Sequence, residues 1–307
     1  MGIVVIGSTF VDIKGYPLGQ YISDGRNAGK IENVHGGVAR NVVEDIANLE
    51  LRPSFVSLVD DTGAGADVVN KLNRHKVDTT YVKAVPDGMG LWLAIFDHNG
   101  DLVSSISKRP VLEPLADILK EHGDEIIAGA DSIAIELDLE KDVVKEVFRL
   151  AEKYNKPVFA VISNMSIALE RRDFFQKLDC FVCNQQEAGM LFVGNIDEMT
   201  PTQIMDVLPT LIKNAGISQM VVTLGDQGAV YANQSGEVGI CPAKKVDVVD
   251  TTGAGDAFFS GVAAGLTYGK TIAQSCEIGT VLSAAVIRTT ENVCPRFRPE
   301  EFELPVK

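Results

Sequence analysis

Short apolar runs alternate with longer stretches of helical period along most of this chain. Ile3–Ile6 is a continuous apolar run closed by Gly7, and Gly37–Leu49 carries Val38, Val42, Ile46 and Leu49 at helical spacing. Phe55–Val59 reads as a strand, and Ala66–Arg74 as a helix with Val69 and Leu72 turned inward. The same rhythm returns in Ser132–Glu136 (strand), Lys141–Tyr154 (helix), Pro157–Ile162, Cys180–Cys183 and Met220–Leu224 (strands). Strands that read as unbroken apolar runs between helices predict an α/β fold, with a mostly parallel sheet covered by helices on both faces.

Two segments depart from that rhythm. Ile13–Val34 is polar and glycine-rich with no helical period. Gly90–Ser107 has two apolar runs around Asp97-His98-Asn99-Gly100, and Asn-Gly at a tip is a hairpin signal. The expectation is a single α/β domain over 1–307, with a small β-strand lid formed by about 13–34 and 89–107. An edge extension of the main sheet is the alternative for the hairpin.

The chain has 307 residues, 46% of them hydrophobic, and a formal charge of −14. That charge argues against nucleic acid or an anionic membrane surface as partner. No apolar run reaches the roughly 20 residues that span a bilayer, and the first residues lack the basic region of a signal peptide, so a cytoplasmic protein is expected. Cys180 and Cys183 form a CxxC, but residues three apart on a strand point to opposite faces, so they read as structural thiols. Gly269-Lys270-Thr271 has its preceding glycine, Gly265, one residue too close for a Walker A loop, and no GxGxxG follows the first strand.

The candidate chemistry centres on Asp250–Gly261, DTTGAGDAFFSG. Gly253, Ala254 and Gly255 precede Asp256 and an apolar helical run, so unpaired N–H groups gather at a helix start with a carboxylate beside them. An anion hole next to a base is what transfer of a phosphoryl group to a hydroxyl needs. Gly36 and Gly37 open another helix and let a ligand approach the backbone, with Asn41 one turn on. Asp12, beyond the first strand, is placed to accept hydrogen bonds from sugar hydroxyls or to cap a turn. Asn184 and Glu187 would share one face of a starting helix, suited to a hydrated Mg²⁺ or simply to capping that helix. Thr223, Gly225 and Gly228 close a further strand with a glycine turn.

Taken in order, these motifs resemble the ribokinase (phosphofructokinase-B type) family of carbohydrate and nucleoside kinases, from about residue 3 to 296. Within it, Gly36–Asn41 and the tail Glu291-Asn292-Val293-Cys294-Pro295 look most like the pseudouridine kinases. The resemblance implies a ribokinase-like fold, ATP with Mg²⁺, and a homodimer formed through the lid. It implies Asp256 as the base, with Gly253, Ala254 and Gly255 as the anion hole. Asp12, Gly36, Gly37 and Asn41 would hold the acceptor, and Asn184, Thr223, Gly225 and Gly228 would lie along the nucleotide. Glu187 would order Mg²⁺ through water, and Asp250 and Thr252 would stand near a monovalent cation such as K⁺. The expected activity is phosphorylation of the 5′-hydroxyl of pseudouridine. The alternatives are ribose, another sugar or another nucleoside as acceptor, and a non-catalytic sugar or nucleoside sensor.

Overall fold

The computed structural model describes residues 2–192 and 194–305. The strands are β1 (Ile3–Ile6), β2 (Phe10–Pro17), β3 (Gly29–Gly36), β4 (Ser54–Val59), β5 (Asp78–Ala84), β6 (Gly90–Phe96) and β7 (Leu102–Lys108), followed by β8 (Ser132–Glu136), β9 (Val158–Val161), β10 (Cys180–Asn184), β11 (Gln219–Thr223), β12 (Ala229–Asn233) and β13 (Val238–Cys241). The helices are α1 (Val38–Asn48), α2 (Gly63–Arg74), α3 (Leu115–Ala128), α4 (Lys141–Tyr154), α5 (Met165–Ala168), α6 (Arg172–Phe175), α7 (Gln185–Leu191), α8 (Pro201–Ala215), α9 (Ala254–Thr267) and α10 (Ile272–Val286).

Nine strands form the main sheet in the order β13-β12-β11-β10-β9-β8-β1-β4-β5. Every pair from β5 to β11 is parallel, and β12 and β13 add an antiparallel edge. Both faces are covered, because successive strand residues point to opposite sides. Val4 and Ile6 pack into one core with α3, α4 and α8, while Ile3 and Val5 pack into the other with α1, α9 and α10. The CxxC obeys the same rule: Cys180 lies in the second core and Cys183 in the first, both as free thiols. Gly269-Lys270-Thr271 is also structural. Thr271 closes a capping box on α10 with Gln274, and Lys270 pairs with Glu303 at 2.6 Å.

The strands that broke the rhythm form a separate four-stranded sheet, β3-β2-β6-β7, rather than an extension of the main one. β6 and β7 are the hairpin read around Asp97–Gly100, and β2 pairs antiparallel with β3 and parallel with β6. It leaves Ile31, Leu102, Val103 and Ile106 exposed. Sequence periodicity did not assign α3, α8, α10 or the strands β5, β12 and β13 at the ends of the main sheet. Among the described residues no helix is long and apolar enough to cross a membrane.

In the main sheet the chain runs outward from β1 through β4 to β5, then returns to β8 on the other side of β1. The strand order therefore reverses between β1 and β8, and ligand crevices of open α/β sheets lie beyond the carboxyl ends at such a point.

Candidate active site

Two cavities meet at the start of α9. The first, of about 260 Å³, sits at the carboxyl ends of β1, β8 and β9, under the second sheet. Ser8, Glu136, Asp138, Ser163 and Asn164 line it from the main sheet. Phe10, Asp12 and Trp92 line it from the second, and Gly37, Asn41 and Asp256 from the helix starts. The second cavity, of about 510 Å³, is lined by Thr223, Gly225, Gly228, Lys244 and Lys245 on one side and by Ala254, Gly255, Phe258, Ala284 and Ile287 on the other.

The wall between them is the first turn of α9. Its N-cap is Gly253, with φ of 81°. A side chain there would also collide with the Asn292 carbonyl oxygen, 2.0 Å from where its Cβ would stand, so only glycine fits this turn. The sequence reading put Ala254 among the anion-hole donors. In the structure the Ala254 N–H donates to the Thr251 carbonyl oxygen at 3.2 Å, closing the turn. The donors left without a partner among the described residues are further along, at Gly255 and Asp256. They face an end of the helix that favours negative charge.

Asp256 follows on that turn. Its Oδ2 accepts a hydrogen bond from Asn41 Nδ2 at 2.7 Å, and Asn41 Oδ1 in turn accepts from Arg40 at 2.6 Å. Arg40 is buried and paired with buried Glu44 at 2.9 Å, so the guanidinium fixes which end of the Asn41 amide meets Asp256. Desolvation pushes the Asp256 carboxyl up to about 7; the Asn41 hydrogen bond opposes this, and the charges of Asp12 and Glu187 add to it. A carboxylate tuned near neutrality is suited to take up a proton during reaction.

Asp12 stands across the first cavity on β2. Its carboxylate lies against Gly36, where a Cβ would come within 2.5 Å of both oxygens, and Asn292 Nδ2 donates to Oδ2 at 3.2 Å. Burial raises its pKa, with Lys14 and Arg40 pulling the other way. Gly36 therefore acts by leaving room for Asp12, while Gly37 caps α1 and lines the cavity itself.

Glu136, at the end of β8, was not singled out in the sequence. Its Oε1 accepts the Ala39 N–H at 2.6 Å, and both oxygens face Ser8 Oγ at 2.9–3.0 Å. Burial, with the nearby Asp138 charge, pushes it up to about 8. Asp138 accepts from the Ser163 N–H at 2.9 Å and from its hydroxyl at 2.7 Å. Position beyond a parallel strand was the available signal for both. Arg109, also on this cavity, had none.

The structure thus brings Asp12, Gly37, Asn41 and Asp256 to one cavity and Thr223, Gly225, Gly228, Ala254 and Gly255 to the other. It does not place Asn184 or Glu187 on either wall. These two close a capping box at the start of α7: Asn184 Oδ1 accepts the Glu187 N–H at 2.9 Å, and Glu187 Oε2 accepts the Asn184 N–H at 2.7 Å. Among the described residues no group of three or more His, Cys, Asp or Glu is gathered to hold a metal. A hydrated Mg²⁺ that takes few protein ligands remains compatible with Glu187. On the second sheet, Trp92 lines the first cavity, while His98 sits exposed at the hairpin tip.

The pfkB family carbohydrate kinase profile matches residues 2–294. The chain is 36% identical over 295 residues to guanosine-inosine kinase of Exiguobacterium acetylicum, covering 94% of this chain and 95% of that one. It is 26% identical over 291 residues to pseudouridine kinase of Escherichia coli, covering 93% and 90%. In three dimensions it is similar to Arabidopsis thaliana ribokinase, with a TM-score of 0.83 at 19% identity over 98% of this chain and 97% of that chain. The chain belongs to the pfkB family of carbohydrate kinases, phosphotransferases that use a hydroxyl group as acceptor.

Proposed function

We propose that this chain transfers the γ-phosphoryl group of ATP to the 5′-hydroxyl of a nucleoside, with guanosine and inosine as the first candidates. The observation that carries the reading is Asp256, held by Asn41 at the junction of two cavities, one residue from unpartnered N–H groups.

The acceptor side suits a ribosyl nucleoside. Asp12 and Asn41 offer an acceptor and an amide to sugar hydroxyls, and Phe10 and Trp92 supply aromatic surface for a base. Arg109, Asp138 and Asn164 add donors and acceptors for its edge. The likeness to a guanosine-inosine kinase favours a purine nucleoside. Pseudouridine is the second reading, favoured by the Gly36–Asn41 and Glu291–Pro295 segments and by the Escherichia coli relative.

The nucleotide side suits ATP. Its apolar lining, with Phe258, Ala284 and Ile287, accommodates a base, and Lys244 and Lys245 offer positive charge. Mg²⁺ would screen the phosphate charge, with Glu187 and Asn184 ordering its waters. Asp256 takes the proton from the acceptor hydroxyl, and the Gly255 and Asp256 N–H groups meet the negative charge of the transferring group. Positioning and charge stabilisation then supply most of the rate. A sensor would have no use for a base aligned with such donors.

ADP release from ATP–Mg²⁺ with guanosine, inosine, pseudouridine, uridine, adenosine, ribose and fructose 6-phosphate tests the reading. Turnover with guanosine and inosine above all others is expected. Preference for pseudouridine would move the acceptor to the second reading, and silence with every nucleoside would refute it.

A further inference from the structure

The turn that carries the anion hole is pinned from the second sheet. Asp250 Oδ1 accepts the Thr252 N–H at 2.8 Å and its hydroxyl at 2.7 Å, while Oδ2 lies 3.2 Å from Lys14 Nζ. Lys14 belongs to β2, and its side chain is 2% exposed. A buried ammonium needs an anionic partner, and Asp250 is that partner. Asp12 sits two residues earlier on the same strand, so it points to the same face. One strand thereby holds both the acceptor-binding carboxylate and the cation that restrains the anion-hole turn.

This arrangement does not fit a monovalent cation bound at Asp250 and Thr252. Both Asp250 oxygens are already engaged within the chain, and a second cation would have to share the carboxylate with a buried ammonium. Like charges that close, with little water between them, repel strongly.

We propose that Lys14 is a positioning residue whose ammonium is the built-in counter-cation of the Asp250–Gly255 turn, so that phosphoryl transfer by this chain needs no added monovalent cation. The proposal rests on the kinase reading above. It makes Lys14 act through Asp250 rather than through substrate: losing the ammonium loosens the Gly255 and Asp256 donors while leaving the acceptor cavity formed.

The test compares turnover at constant ionic strength in potassium, sodium and choline chloride. The wild-type kcat is expected to agree within about twofold across the three salts. Lys14→Met is expected to lower kcat by about tenfold or more, because the donors that meet the transferring group are no longer held in place. Its acceptor KM should change much less, and potassium but not choline should restore part of its rate. A wild-type kcat about tenfold higher in potassium than in choline would overturn the proposal, as would a Lys14→Met variant with wild-type kcat. Thermal midpoints give a readout that needs neither turnover nor a folded variant. Potassium and choline should move the wild-type midpoint equally, and stabilisation specific to potassium would overturn the proposal. A wild type that turns over no acceptor would count against the kinase reading instead, and the midpoints would still decide the cation question.

Discussion

The two cavities on either side of α9 differ in charge as much as in shape. Among the described residues the first is lined by four carboxylates, Asp12, Glu136, Asp138 and Asp256, with Arg109 its one cationic lining residue. Among the described residues the second has Asp226 as its one carboxylate, two lysines and a largely apolar surface. Carboxylates accept hydrogen bonds and so select ligands rich in hydroxyl and N–H donors. Lysines and helix N–H groups select phosphates. A single helix turn separates the two chemistries, presenting its N–H groups and the Asp256 side chain at the junction. On the function proposed above, sorting by charge would keep a polyanionic donor out of the acceptor cavity and make the wall between them the place of transfer.

The most severe way to break this division is Asp256→Asn. Loss of a general base lowers rates by roughly 10²–10⁴-fold, and that fall in kcat is expected here with both ligands still bound. The fold should not suffer. The Asp256 pKa is raised from 3.8 to about 7, so the unfolded chain releases this proton first as pH rises, and the native state loses stability between those values. Asn has no such loss. The thermal midpoint of the variant relative to wild type should therefore rise from pH 4 to pH 8, and a fall over that range would show that the carboxylate stabilises the fold.

Smaller changes should fall on one side only. Asp12→Ala removes charged hydrogen bonds to the acceptor, a loss of about 1.5–3 kcal/mol, so acceptor KM should rise about 10–100-fold while ATP KM stays near wild type. Lys244→Ala with Lys245→Ala should do the reverse, raising ATP KM only a few-fold, since exposed charges contribute about 1 kcal/mol or less each. Steady-state kinetics in both substrates checks the contrast, and equal effects of either change on both KM values would erase it.

Much of the scaffold was legible before the structure. β1, β8 and α4 were read to the residue, because unbroken apolar runs and helical spacing leave little ambiguity in buried parallel elements. Opposite burial of Cys180 and Cys183 followed from strand geometry alone. The edge strands and α10 were harder. β5 is half-solvated and shows no clean apolar run, and α10 is apolar nearly all round, which removes the periodic signal. Of the residues singled out in advance, the structure brings Asp256, Asn41 and Asp12 to one cavity, the first two read from local motifs and Asp12 from its place beyond the first strand. Glu136, Asp138 and Lys14 were missed because their meaning is set by contacts far away in sequence. Lys14, in a polar glycine-rich stretch, reads as solvent-facing until Asp250 is brought to it by the fold. Asn184 and Glu187 carried a readable capping pattern, and the capping box is what forms.

Collection of the acceptor proton by Asp256, at the wall between the two cavities, is the step on which the proposed function turns. It is tested most directly by the pH dependence of kcat/KM for the acceptor, at saturating ATP–Mg²⁺. A rise with a single apparent pKa of about 7 is expected, as the carboxyl that burial keeps protonated becomes the base. A rate already at its plateau at pH 5.5, with no rise toward pH 8, would contradict it.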